Sequence, residues 1–596
     1  MKKIFQYLIL LLSICLYSCS TDNDLDPTLK NPHTGIFNLD FEARADNYPS
    51  HPKNWGSWGD GYRFSLDSLE KYSGKLSLKV EKPGNRNDNF GAFSNSLPIE
   101  VFAGKNLEFK GWIKTKEVKN GYAGLWFRVD GEKGTLGFDN MSARGLKGDN
   151  NWTQVSIKMD ISSNATYIVF GGIFPGEGTV WFDRFELFIN GEKYIDPEPK
   201  TSLSKEEMAV LKQYIYPLRT FEPDGGDTKD LKVLDNLIAN SSVVALGEVT
   251  HGSSEIFKMK NRIIQYLAVN NGFDIFSIEA AMPESYKLND YTVRGEGDPK
   301  KLIAGMYFWT WRTEEVLNMV EWMRRFNQPK QRIAFTGFDM QAYDGALNEL
   351  SGAFKEREDV INKIADLKKI LDDIKQRQQS SSSGYATVSY IERDYLDSLF
   401  EFLKKNIEIS AFQAAEKNWL LQNIVVIQQC LQNYQSNTIP WRDKCMADNL
   451  IWIKEHNPGS KIVTWAHNGH IMKTDQMMGY HLAKMLGDDH VTFGFTFSEG
   501  SYTAAGNKGL TSYPAVKAYP GTLEFFLEQL NEPIFILDIK KIISDNHKDT
   551  KWLKERLPYR RVGALGGQAS EFGIRKVVDD FDYLIYIKKS TPSTLL

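Results

Sequence analysis

Two short strings of this chain combine imidazole and carboxylate groups in a pattern suited to activating water. They are Gly247-Glu248-Val249-Thr250-His251-Gly252 and Trp465-Ala466-His467-Asn468-Gly469-His470. The chain has only nine histidines, and three of them fall in these strings. A neutral imidazole, with an ordinary pKa near 6.5, takes a proton from water near neutral pH, and an adjacent carboxylate fixes its tautomer. Such general-base help is worth about 10²–10⁴ in rate. Glu279, in Phe276-Ser277-Ile278-Glu279, and Asp339, in Thr336-Gly337-Phe338-Asp339, add two more carboxylates.

All of these groups follow apolar, β-branched runs. Val243–Leu246 leads into Glu248 and His251, Asp274–Ile278 into Glu279, Ile333–Thr336 into Asp339, and Ile462–Trp465 into His467. Open α/β sheets bind ligands just outside the carboxyl ends of their strands. Neighbouring strands lie about 5 Å apart, so the four ends can converge on one small volume. Further strands are predicted at Val491–Phe497, Ile534–Leu537 and Tyr583–Ile587. Amphipathic helical stretches alternate with them, so residues 205–590 read as an α/β domain with a mainly parallel sheet. A charged helical insert over about 352–440, broken at Ser380–Gly384, is placed by chain order as a wall or lid over the carboxyl edge.

Residues 34–195 have a different texture. Short alternating runs such as Leu76-Ser77-Leu78-Lys79-Val80 and Leu125-Trp126-Phe127-Arg128-Val129 are separated by Gly, Asn, Asp and Ser, the pattern of an all-β sandwich. Asn38-Leu39-Asp40-Phe41-Glu42, Tyr72-Ser73-Gly74-Lys75-Leu76-Ser77-Leu78 and Gly178-Thr179-Val180-Trp181-Phe182-Asp183-Arg184-Phe185 resemble carbohydrate-binding modules of the jelly-roll type. Trp55, Trp58, Trp126 and Trp152 could stack on sugar rings or fill the sandwich core. A proline-stiffened linker, 196–204, joins the two parts.

The N-terminus reads as a targeting signal over 1–18. Lys2 and Lys3 precede an apolar stretch that ends at Leu16-Tyr17-Ser18-Cys19, a lipobox-like string with Cys19 as the acylated residue. Residues 19–33 would tether the folded part to a bacterial envelope membrane, on its periplasmic or outer side. A net charge of −4 without a basic block argues against nucleic acid. Cys430 and Cys445, the only cysteines after Cys19, could pair in an oxidising compartment but make no framework and no cysteine-based zinc site.

The bland readings are specific too. Glu248 and Thr250 could simply cap a helix, His470 could be structural, and Asp339 could hold a loop. Arg312 and Arg442 could anchor a polar substrate or form helix-face ion pairs. No Gly-x-Ser-x-Gly elbow, phosphate loop, dinucleotide fingerprint or His-Glu-x-x-His string occurs. Glu248, His251, Glu279 and His467 also form a candidate set for a divalent metal.

Six motifs occur together in order. They are Gly-Glu-x-x-His-Gly at 247–252, Ile278-Glu279, Trp309-Thr310-Trp311-Arg312 with Glu321-Trp322-Met323-Arg324, Thr336-Gly337-Phe338-Asp339-Met340-Gln341, Arg442-Asp443 with Met446-Ala447 and Asn449, and Trp465–His470. The set resembles the erythromycin esterase family over essentially all of residues 205–590. That resemblance implies hydrolysis of a carboxylic ester or macrocyclic lactone by activated water, without a covalent intermediate and without a cofactor. It makes His251 the general base, oriented by Glu248 and Glu279. His467 would stabilise the oxyanion or protonate the leaving alkoxide, supported by His470. Lys260, where the known macrolide esterases of the family carry arginine, joins Arg312, Asp339 and Arg442 as a substrate-binding or supporting residue. The expectation is therefore a lipid-anchored, two-part hydrolase acting on a small ester or lactone, as in macrolide resistance, with glycosylated forms among the candidate substrates. A non-catalytic surface glycan-binding lipoprotein and a metal-dependent hydrolase are the alternatives.

Overall fold

The computed structural model describes residues 35–596 except 47, 60, 83–89, 132–133, 224–225, 240, 382–383, 437–438 and 569. The signal segment, Cys19, the tether and part of the Ser380–Gly384 tip lie outside the described residues. Among the described residues no helix is long and apolar enough to cross a membrane. Cys430 and Cys445 are buried free thiols.

Every strand pairing described in the N-terminal part is antiparallel. One long extended run, Asn106–Gly131, organises it. Its first half pairs with Leu146–Asp160 and Glu177–Ile189, and its second half pairs with Ala165–Phe174 and Gly134–Asp139. Alternate side chains point to one side of a strand. Leu107, Phe109 and Ile113 of the first half therefore meet Leu125, Phe127 and Val129 of the second in a single core. Trp55 belongs to that core, whereas Trp58 is 42% exposed and meets Trp126 edge-on.

The C-terminal part is a sheet flanked by helices. Its strand order is Ile215–Pro217, Ile534–Asp538, Tyr583–Ser590, His490–Ala504, Val243–Leu246, Ile462–Trp465, Ile275–Ala281 and Ala334–Asp339. The last five run parallel to one another, and Tyr583–Ser590 is parallel to His490–Ala504. Ile534–Asp538 and Ile215–Pro217 pair antiparallel at the other side. The seven strands expected from the sequence form where expected. Ile215–Pro217, Thr511–Pro514 and the hairpin Leu557–Arg560 with Phe572–Arg575 were not foreseen; each is only three or four residues long, too short to show a period. Fully apolar central strands such as Val243–Leu246 are buried on both faces, as a sheet covered by helices requires.

Helix starts follow local chemistry. Ser253 caps Ser254–Asn270, Thr313 caps Glu314–Phe326, and Ser389 with Glu392 forms a capping box on Tyr390–Ile409. The insert is built from the helices Glu358–Ser380, Tyr390–Ile409 and Ala414–Ser436. The next helix, Ile439–Glu455, is pinned to the sheet by a buried amide cluster. Asn449 Nδ2 donates to the Phe338 carbonyl at 3.0 Å, while Gln422 and Gln429 donate to Asn449 Oδ1 at 2.9 and 3.1 Å.

Candidate active site

Four strands adjacent in the sheet deliver the ionisable groups. In spatial order, Val243–Leu246 leads to Glu248 and His251, Ile462–Trp465 to His467, Ile275–Ala281 carries Glu279, and Ala334–Asp339 ends on Asp339. The helix Ile439–Glu455 adds Arg442 and Asp443 from above.

Glu248 is fully buried and has both oxygens engaged. His251 Nδ1 lies 2.6 Å from its Oε1, while Lys260 Nζ (2.9 Å) and Trp465 Nε1 (2.6 Å) donate to its Oε2. A carboxylate on Nδ1 places that proton there and leaves the His251 Nε2 lone pair free. Lys260 lies over the Trp465 ring at 4.3 Å, wholly buried, and burial pushes its pKa down to about 8 against the pull of Glu248. A helix places Lys260 and Arg262 about 200° apart. Lys260 accordingly enters the site, whereas Arg262 turns away to Asp230.

The His251 and His467 ring centroids are 5.1 Å apart, and Trp311 stands edge-on to His251 at 6.1 Å. His467 Nδ1 accepts the Gly469 N–H at 3.0 Å, so its proton sits on Nε2, 3.3 Å from the Val249 carbonyl. Burial, with His251 and His470 nearby, holds His467 well below the usual imidazole range. It is a neutral N–H donor in this arrangement.

Glu279 takes the His467 backbone N–H on Oε2 (2.9 Å) and Arg442 Nη2 on Oε1 (2.7 Å). Burial alone would raise it, but His470 and Arg442 hold it well below the ordinary glutamate range. Arg442 also donates to both oxygens of Asp339, at 3.2 and 2.7 Å. His470 puts Nδ1 2.8 Å from Asp443 and Nε2 3.2 Å from Glu279. Burial opposes its charge, yet the two carboxylates raise it to about 10. Its Nε2 also lies 3.0 Å from Arg442 Nη1, so two cations are held side by side by Glu279, Asp339 and Asp443.

Of the residues singled out in the sequence, Glu248, His251, Lys260, Glu279, Asp339, Arg442, His467 and His470 thus form one connected cluster. Arg312 does not join it. Its guanidinium donates to the carbonyls of Ala304 and Tyr307, tying a loop at the surface. Asp443 and the Trp465 indole are participants that reading by strand ends passes over. Both lie inside the six motifs, and the Arg442-Asp443 doublet is the signal the sequence carries for Asp443. Among the described residues, no three or more His, Cys, Asp or Glu are arranged to hold a metal ion. The reason is visible in the donors: Glu248 is taken by Lys260 and Trp465, and Glu279 by Arg442.

A multidomain chain with an α/β domain and a carboxylate-backed histidine at its strand ends is the class of protein these observations define. The family model for erythromycin esterase matches residues 269–590. The chain belongs to the erythromycin esterase family. That match takes in Glu279, Arg442 and the 465–470 string, while Glu248, His251 and Lys260 precede it. The protein described as "Putative hydrolase YbfO" of Bacillus subtilis (strain 168) is 24% identical over 413 residues, covering 63% of this chain and 90% of the relative. Erythromycin esterase type II of Escherichia coli is 25% identical over 328 residues, 48% of this chain and 76% of that one. A solved succinoglycan biosynthesis protein aligns with a TM-score of 0.57 at 26% identity, covering 66% of this chain and 98% of its own. The family match and the first two relatives support hydrolase activity.

Proposed function

We propose that the protein hydrolyses a carboxylic ester or lactone with water activated by His251. The observation that carries this is the pairing of His251 with the buried Glu248, which leaves one imidazole nitrogen free beside the His467 ring. His251 Nε2 removes a proton from water as the oxygen attacks the carbonyl carbon. The carbonyl π electrons move to oxygen, where the neutral His467 Nε2–H is the candidate donor. Its 3.3 Å contact to Val249 is long enough to be exchanged for a stronger bond to an oxyanion. When the tetrahedral intermediate collapses, the C–O bond to the alcohol breaks and His251 returns the proton to the departing alkoxide. Acid and alcohol are the products. Because His467 is held neutral, its role is oxyanion stabilisation, and proton return falls to His251. A carbohydrate-bearing ester fits an enzyme coupled to a β-sandwich and similar to a protein of polysaccharide biosynthesis. The envelope anchor at Cys19 remains part of the same proposal.

Mass spectrometry tests the reading on two substrates, erythromycin and acetylated oligosaccharides. Wild type should add one water to at least one of them, and His251→Ala should slow this about 10²–10⁴-fold. Absence of hydrolysis on both, or full activity in His251→Ala, would overturn it.

A further inference from the structure

The two parts of the chain enclose a cleft that the chemistry above does not use. Its volume is about 1110 Å³, and its walls come from both sides. The sandwich contributes Ser94 and Ser96 on one strand and Tyr167 on the next, and the α/β part contributes Gln476, Arg561 and Gln568. Contacts between the two parts bracket the cavity. Gln476 Nε2 donates to Thr166 Oγ1 at 3.2 Å, Arg556 reaches Glu100 at 3.2 Å, and Ile574 packs against the sandwich core.

The lining chemistry is selective. It is hydroxyl- and amide-rich, and it holds four arginines, Arg128, Arg556, Arg561 and Arg575, against two carboxylates, Asp130 and Asp475. Three of the arginines are neutralised: Arg128 by Asp130, Arg556 by Glu100, and Arg575 by Asp475 and Asp580. Arg561 has no carboxylate partner among the described residues and is exposed to the cleft. Tyr167 is 45% exposed and faces it from the sandwich, within electrostatic reach of Asp475, Arg561 and Arg575. An aromatic face beside hydroxyls and amides suits a sugar ring, whose apolar face stacks and whose hydroxyls hydrogen-bond. An unpaired guanidinium offers a planar fork to a carboxylate.

The chain that lines the cleft at Arg561 continues directly to the reacting groups. Val562 and Gly563, directly after Arg561, both donate to the Val249 carbonyl, the same oxygen that His467 faces, and the His251 N–H donates to the Gly563 carbonyl. Two residues of extended chain span about 7 Å, so the Arg561 backbone lies that far from the Gly563 contact with His251. Met472, two residues beyond His470, lines the same cavity.

We propose that this cleft is a subsite for an acidic oligosaccharide, with Arg561 pairing with a uronate carboxylate and Tyr167 stacking on the ring. The inference rests on the ester-hydrolase reading only in making that saccharide the non-reacting part of the substrate. In this arrangement the sandwich is the far wall of the substrate site.

Isothermal titration calorimetry on the intact protein, with tetragalacturonate and the neutral xylotetraose as probes, tests it. Tetragalacturonate should bind at least tenfold more tightly than xylotetraose and weaken with added salt. Arg561→Gln, a surface change, should remove that preference, and Ser94→Trp, which fills the cleft from the sandwich side, should abolish binding of the acidic tetramer. His251→Ala should bind it like wild type, so failure of the hydrolytic reading is separable from failure of the subsite. Equal affinity for the two tetramers, no binding of either, or an acidic preference that survives Arg561→Gln would overturn the proposal.

Discussion

At the scale of single residues, Lys260 is the informative departure. The resemblance implies arginine there, and a guanidinium stays charged at any accessible pH. Lys260 is buried between Glu248 and the Trp465 ring, and its pKa is pushed down to about 8. The folded value lies below the unfolded one near 10.5. The charged lysine therefore penalises the fold fully below about pH 8, and stability rises as pH climbs from about 8 towards 10.5. Over that window Glu248 also loses its counter-charge. Ester turnover should then fall on the alkaline side near pH 8 in wild type, and Lys260→Arg should move that fall upward by at least one pH unit. A pH–rate profile of both proteins checks it, and coincident alkaline limbs would refute it. Lys260→Met strands a buried carboxylate, so chemical denaturation should register a loss of about 3–5 kcal/mol.

At the scale of elements, the strand ends that carry the ionisable cluster were legible because each pairs a β-branched apolar run with a polar stop, a pattern needing no knowledge of neighbours. Their spatial order was not, since Ile462–Trp465 inserts between Val243–Leu246 and Ile275–Ala281 despite lying far along the chain. The place of Arg312 outside the cluster was not legible for a similar reason: a charge next to a motif does not reveal which way its side chain turns. Asn468 ties the end of Ile462–Trp465 to the interior of the strand His490–Ala504. Its amide donates to the Phe495 carbonyl at 2.7 Å and accepts the Phe495 N–H at 3.1 Å. Gly247 packs so closely that an added Cβ would stand 2.1 Å from Asn468 Oδ1. Gly247→Ala should therefore displace Asn468 and, through it, His467, lowering kcat more than KM. Asn468→Ala leaves a buried N–H and C=O unpaired and should cost about 1–3 kcal/mol per orphaned group in denaturant unfolding. A Gly247→Ala enzyme with wild-type kcat would show that the ends of Val243–Leu246 and Ile462–Trp465 move independently.

At the scale of the whole molecule, what the sequence presents as a linker is part of the packing. The Ile36 N–H donates to the Pro197 carbonyl at 3.2 Å, and Phe37 donates to Asp196 Oδ2 at 2.9 Å. Proline content marks stiffness, but not what a stiff segment lies against, so the two-part texture was readable while the docking and its cleft were not. The ion pair between Arg556 and Glu100 is half in water, where such pairs are worth about 0–1 kcal/mol, so apolar contacts such as Ile574 must carry more of the interface. Asp196 adds a pH dependence. Burial raises its pKa to about 7, with backbone N–H groups opposing and Asp40 adding to the rise. The folded value lies above the unfolded one near 3.8, so the penalty for the charged form is full above about pH 7 and is relieved as pH falls towards 4. Protease cleavage within 196–204 should therefore be faster at pH 8 than at pH 5.5, once corrected for the protease's own pH profile. Asp196→Asn keeps a carbonyl oxygen for the Phe37 N–H and removes the charge, so its cleavage should be slow at both values. Equal pH dependence in the two proteins would mean that another group governs how the segment holds to the sandwich.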